Sequence, residues 1–225
     1  MKLRFLLTFC MFLLCLISFS QYESSGTQFR GGLQLSGLQL PSSVGNYGMS
    51  FGPGIDFAWS PEDSRAEVYF NGTYFLPSRS VTTDQVYLGS SSAEATLTQK
   101  TSILALGVGG RYFFMDRTEN NFNAYATITV SYLFANTKAT YTNVPNGYAP
   151  YYGDQTSGKS NQAMVNAGVG MEYLVSDGGS VFAEACYRFP ATSYNSRTGY
   201  AEEVQIVAHP WFSLGYRFSI GGGGW

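Results

Sequence analysis

The chain has 225 residues, 12% of them charged, with 26 glycines, an aromatic share of 16% and a formal net charge of −2. That mixture excludes a disordered chain and a coiled coil, and its acidic balance offers no basic surface for nucleic acid. Beyond the N-terminus no run of about 18 apolar residues occurs, which excludes a helical membrane protein.

The first element is a predicted secretory signal peptide over 1–20. Lys2 and Arg4 precede an apolar run from Phe5 to Phe19, and Ser18 and Ser20 stand at −3 and −1 of a cut before Gln21. The run is too short for a membrane anchor. Phe9 and Leu14, directly before Cys10 and Cys15, are too large for a lipoprotein site. Cleavage leaves Cys186 as the one cysteine, so the mature chain has no internal disulfide. Loss of Lys2 and Arg4 takes the formal charge from −2 to −4. Residues 21–225 read as one domain, with a barrel over about 27–220 and a short glycine-rich tail at 221–225.

From Gln21 onward the pattern alternates with period two, the mark of strands with unlike faces. Phe29, Leu33 and Leu35 oppose Arg30, Gln34 and Ser36. Met49, Phe51, Ile55, Phe57 and Trp59 oppose Ser50, Asp56 and Ala58. Val68, Phe70 and Tyr74 oppose Glu67, Tyr69, Asn71 and Thr73. Leu104, Leu106, Val108, Tyr112 and Phe114 oppose Ala105 and Arg111. The fifth run sets Ala124, Ala126, Ile128, Val130, Tyr132 and Phe134 against Asn123, Tyr125, Thr127, Thr129 and Ser131. The sixth sets Ala163, Val165, Ala167, Val169, Met171 and Tyr173 against Gln162, Asn166 and Glu172. The seventh sets Val181, Ala183, Ala185, Tyr187 and Phe189 against Glu184, Cys186 and Arg188. The eighth and longest, from Val204 to Ser219, puts Phe212, Leu214, Tyr216 and Phe218 opposite His209, Trp211, Ser213 and Arg217.

One face of every run carries no charge, and it is graded, with aliphatic residues mid-strand and Tyr, Phe or Trp at the ends. An aliphatic band between two aromatic girdles describes a surface facing a bilayer. A soluble sandwich would spread lysines over its polar face, yet Lys100, Lys138 and Lys159 are the only lysines of the mature chain. Connections also alternate in length. Tight turns are predicted near 61–64, 115–121 and 176–179, the last around Asp177-Gly178-Gly179, and long polar loops over 77–99 and 136–160. The expected fold is all-β, an eight-stranded antiparallel transmembrane β-barrel with both termini in the periplasm and the long loops outside.

On these residues the chain resembles the small eight-stranded outer-membrane barrels of OmpA/OmpX type, and among them the outer-membrane β-barrel domain common in Bacteroidetes. The resemblance covers Thr27 to Ile220. It rests on the signal ending in Ser-Gln, the girdled alternation and the closing run His209-Pro-Trp-Phe-Ser-Leu-Gly-Tyr-Arg-Phe, which looks like the aromatic signal read by the barrel-assembly machinery. The tail Gly221 to Trp225 departs from that pattern. The resemblance implies a cell outer-membrane location and contact with the lipid bilayer and the barrel-assembly machinery.

The polar face supplies a candidate interior charge network of Arg30, Arg111, Arg188 and Arg217 against Asp56, Glu67, Glu172 and Glu184, four charges of each sign. Buried charges are costly unless paired, so a single connected network is expected, with Arg30 beside Asp56 and Arg111 beside Glu67. Eight strands leave an interior that side chains can fill, which argues for a plug rather than a pore. A catalytic reading would centre on His209, the one histidine. Ser213 lies about 13 Å along the same strand, and hairpin symmetry about Ser196 sets Glu184 opposite His209, without a placed nucleophile. Gly107-Val-Gly-Gly lacks the helix and Lys-Ser/Thr of a phosphate loop, and its glycines read as room for interior side chains. No metal-ligand cluster and no cofactor motif is found. Tyr141, Tyr148, Tyr151 and Tyr152, among Asn, Pro and Gly, are candidate loop residues for binding an extracellular glycan or protein. The expected role is structural or interactive at the cell surface, without enzymatic chemistry. The alternatives are a PorT-like component of a secretion or transport apparatus and a lipid- or envelope-modifying barrel enzyme.

Overall fold

The computed structural model describes residues 27–40, 48–61, 64–116, 120–150, 157–176, 178–191, 195–197 and 209–220. The signal peptide, Tyr151, Tyr152, Asp177 and the tail lie outside them. Eight long strands follow one another: β1 (Thr27–Leu40), β2 (Gly48–Pro61), β3 (Ala66–Leu88), β4 (Ser91–Phe113), β5 (Phe122–Thr142), β7 (Ser157–Ser176), β8 (Gly179–Pro190) and β10 (Pro210–Ile220). The short pieces β6 (Ala149–Pro150) and β9 (Asn195–Arg197) add to the edges of β3 and β7. Each long strand pairs antiparallel with the next. β1 pairs with β10 from Phe29↔Ile220 to Leu38↔Trp211, so the sheet closes into a ring without a free edge through the barrel wall.

The outer wall is a continuous apolar surface. At mid-height Leu214, Leu33 and Val169 are 63%, 62% and 61% exposed, with Trp59, Tyr112, Phe114 and Tyr173 towards one rim and Tyr74, Tyr132, Tyr187 and Phe189 towards the other. Patches this extensive are not left in water by soluble domains, and the girdled band matches a bilayer.

Residues 77–99, expected as a loop, are instead strand. β3 and β4 run on as a hairpin to the two-residue turn Gly89-Ser90, where Gly89 takes φ +59, a conformation glycine adopts without steric cost. Above the membrane both faces of a strand can be polar, so the Thr- and Ser-rich sequence hid its alternation. Likewise 136–142 and 157–160 belong to β5 and β7, leaving 143–156 between them. In that connection Tyr148 N–H donates to Pro145 O at 3.1 Å, and Gly147 has φ +86, as a type II turn requires. The β3–β4–β5 extension forms a blade above the rim, with its own small core of Leu97, Ala139 and Tyr141.

The blade leaves the barrel at a specific place. Pairing of β2 with β3 extends only from Trp59↔Val68 to Gly54↔Thr73, and β3 has a register irregularity between Phe75 and Ser78. There its backbone presses onto Gly52, where a Cβ would meet Tyr74 O at 2.0 Å and Phe75 Cα at 2.6 Å. Only glycine lets the two backbones approach so closely. Ser50 Oγ then donates to Leu76 O at 2.8 Å.

Candidate functional site

The barrel interior is the candidate site, and it is built in tiers. The lowest holds seven of the eight charges singled out in the sequence. Glu67 and Arg111 are direct cross-strand partners on β3 and β4. Arg111 Nη1 donates to Glu67 at 2.7 Å and its Nη2 to Asp56 at 2.7 Å. Arg217 Nε donates to Asp56 at 3.1 Å and its Nη1 to Glu172 at 2.8 Å. Arg30 closes the circuit, donating to Glu172 through Nη1 and to Glu67 through Nε at 3.0 Å. Three guanidiniums and three carboxylates thus alternate in a closed hexagon, with every side chain at most 5% exposed. The sequence reading sets Arg30 beside Asp56, but Asp56 lies opposite Gly32, and Arg30 reaches Glu67 and Glu172 instead. Side chains here meet across the lumen as well as along the sheet.

Aromatic faces hold the hexagon. The Arg111 guanidinium lies 3.6 Å from the Tyr69 ring centroid and that of Arg217 lies 3.5 Å from Phe182. Cation–π contacts of this kind strengthen when water is excluded. Tyr69 in turn hydrogen-bonds Thr127 at 2.8 Å and also Thr129. Glu184 is an appendage, accepting from Tyr125 Oη at 3.2 Å with Arg111 Nε 3.5 Å away. Gly107 leaves the space its neighbours use, since a Cβ there would lie 2.5 Å from Asn71 Oδ1.

Above the hexagon is a tier of neutral hydrogen bonds. Ser36 Oγ and Ser213 Oγ are 2.9 Å apart, Trp211 Nε1 donates to Ser213 at 2.6 Å, and Gln34 Nε2 donates to Thr73 at 3.0 Å. The next tier is apolar. Leu38, Phe75, Ile103, Leu133 and Met164 are fully buried around Trp211, whose ring meets Phe75 edge-to-face at 5.0 Å. The inward list read from the sequence holds Trp211 but not the Leu38, Phe75, Ile103, Leu133 and Met164 that surround it. At this height β5 is apolar on both faces, with Leu133 inside and Phe134 outside, so the alternation that marks a strand in sequence stops there.

Arg188 does not belong to the hexagon. It is fully buried in the upper half, its guanidinium 3.2 Å from the Trp211 ring, and none of its three side-chain nitrogens has a hydrogen-bond partner. Among the described residues the sequence expectation of one network therefore separates into a lower cluster with one excess acid and a single upper cation. The catalytic alternative loses its geometry as well. Glu184 lies opposite Ser213, whereas His209 O accepts from Arg188 N–H at 3.0 Å. The β8–β10 register differs from the symmetric hairpin because its connection is not centred on Ser196. Residues 204–208 of the eighth run lie outside the described residues. Of the tyrosines proposed for loop binding, Tyr141 is in β5 and donates to Asp84 Oδ2 at 2.6 Å, so it braces the blade. Tyr148 is half-buried at the β6 turn. Among the described residues no group of His, Cys, Asp and Glu is arranged to hold a metal.

No protein-family profile matches the chain, and no curated sequence is similar to it. Solved structures are similar. Neisserial surface protein A aligns with 15% identity and a TM-score of 0.56 over 87% of this chain and 100% of its own. A major outer membrane protein from Thermus thermophilus aligns with 14% identity and a TM-score of 0.57 over 87% of this chain and 100% of its own. Ring closure of eight antiparallel strands, the girdled outer wall and these likenesses agree: the chain has the fold of the small eight-stranded outer-membrane β-barrels.

Proposed function

We propose that this protein is an integral outer-membrane barrel whose interior is closed, and whose role is to present the β3–β4–β5 blade and the neighbouring connections at the cell surface. Both termini are then periplasmic and the blade is extracellular. The observation that carries this reading is the stacking of two different seals: a charged hexagon in which each of three guanidiniums bonds two carboxylates, and above it an apolar tier around Trp211. An ion would have to strip its water at the apolar tier and displace salt bridges below, and neither step is compensated. The blade's own core and its Tyr141–Asp84 bond support a shaped display surface rather than a solvated loop.

The role proposed has no chemistry of its own. It draws support from the separation of His209 and Glu184 and from the engagement of the Ser213 hydroxyl by Ser36 and Trp211. Planar-bilayer recording of the refolded protein tests the closed interior. No steady conductance is expected, and reproducible ohmic steps would overturn it.

A further inference from the structure

Arg188, a buried cation of the upper interior, is a group that the closed-barrel reading does not use. Arg188 is 0% exposed, and neither Nε, Nη1 nor Nη2 has a hydrogen-bond partner. A buried guanidinium without a counter-charge is among the least favourable groups a fold can carry, and in the lower tier this same barrel gives each of three guanidiniums two carboxylate partners. Among the described residues the interior acids do not serve Arg188. Asp56, Glu67 and Glu172 are held by the other arginines, and Glu184 is four residues back along β8, about 13 Å away.

A second unpartnered group stands beside it. His209 follows Arg188 across the β8–β10 ladder and is 8% exposed, and its Nε2 also lacks a hydrogen-bond partner. The Trp211 ring stacked at 3.2 Å fixes the plane of the guanidinium, leaving its edges free to donate. Both residues lie at the height of the girdle residues Tyr187 and Phe189, where β8 approaches its end at Pro190 at the blade side of the barrel.

We propose that Arg188 and His209 form a receptor for a single carboxylate entering from the outer rim. The two edges of a guanidinium fork match the two oxygens of a carboxylate, and His209 Nε2 supplies a third donor. The charge count selects the ligand class. One monovalent anion neutralises one buried cation, whereas a phosphate would bring a second, uncompensated charge into a tier lined by Met164, Leu38 and Phe75. The apolar tier forms the floor, so the carboxylate is bound and not passed on.

Acetate is the probe, with the mature protein refolded in detergent at constant ionic strength, chloride replacing acetate. A ligand that binds only the folded state stabilises it in a saturable way. We expect the urea midpoint to rise with acetate and level off. Arg188→Gln abolishes the saturable response, and His209→Gln weakens the apparent affinity about tenfold, the scale of one hydrogen bond to a charged group. If Arg188→Gln does not fold, the His209→Gln shift decides. No saturable response in the parent overturns the proposal. So does a response that first appears in the Glu202→Gln/Glu203→Gln double variant, because Arg188 would then be answered by the chain's own carboxylates. An equal response in the parent and both site variants would equally overturn it, as a solvent effect.

Discussion

Replacing Arg111 by methionine breaks two of the six links of the hexagon, both at 2.7 Å, and removes the contact over Tyr69 at 3.6 Å. Asp56 keeps Arg217 and Glu67 keeps Arg30, so each acid retains one cation, but the tier gains a net negative charge. Breaking a buried pair costs about 3–5 kcal/mol, and two broken links with one retained partner per acid place Arg111→Met near the middle, at about 4 kcal/mol. Glu67→Gln alone leaves Arg30 with Glu172 and Arg111 with Asp56, and should cost about 3 kcal/mol. In the double variant the net charge of the tier returns to that of the parent. Its loss should then fall at least about 1.5 kcal/mol short of the two single losses combined. The assay is reversible urea unfolding in phosphatidylcholine vesicles, followed by tryptophan fluorescence, with the m-value unchanged across the set. Because the hexagon is out of contact with water, these differences should persist from low to molar salt. Losses that add to within about 0.5 kcal/mol, or that vanish in high salt, would refute a coupled buried ring.

Val130 faces outward, half exposed, beside Thr129, which points inward; Val130→Arg should cost about 2–4 kcal/mol in vesicles while Thr129→Ser costs less than half of that, and equal tolerance would contradict the lipid-facing wall. Gly52→Ala should sharply lower refolding yield because its Cβ would strike β3 backbone, whereas Gly72→Ala, whose Cβ first meets Leu106 Cδ2 at 3.4 Å, should fold normally; gel-shift folding assays compare them. Cys186 is buried, so a cysteine placed at the exposed Asn146 should be the main site labelled by an impermeant maleimide on intact cells, and labelling confined to lysed cells would reverse the proposed topology.

How much of this was legible depended on what lies on the two sides of each strand. Along 124–132 lipid meets Ile128 and Val130 while the interior meets Thr127 and Thr129, so the faces could be read residue by residue. Past Tyr132, Leu133 and Phe134 are both apolar, one buried in the barrel interior and one on the outer wall, and periodicity carries no information about which is which. Ser78 to Leu88 failed for the opposite reason, with water or polar neighbours on both sides. Among the charges, the Glu67–Arg111 pair was accessible because β3 and β4 are consecutive strands and therefore neighbours in the ring, whatever the length of chain between them. Arg30–Glu172 joins strands far apart in sequence, and only ring closure brings them together. The isolation of Arg188 depended on the register across an asymmetric connection, which composition does not encode.

The hexagon also bears on how such a barrel could assemble. Cut at the β1–β10 seam, its members separate into a chain of four from β1 to β4, Arg30–Glu67–Arg111–Asp56, and a pair from β7 and β10, Glu172–Arg217. Each portion is electrically neutral by itself, so an open sheet carries no surplus charge from either into the membrane. Only two links, Arg30–Glu172 and Arg217–Asp56, wait for the first strand to meet the last. Those two act as a latch. A sheet whose edges have not met gains nothing from them, and a sheet that has closed gains both together, which steepens the final step of insertion and disfavours barrels left partly unzipped.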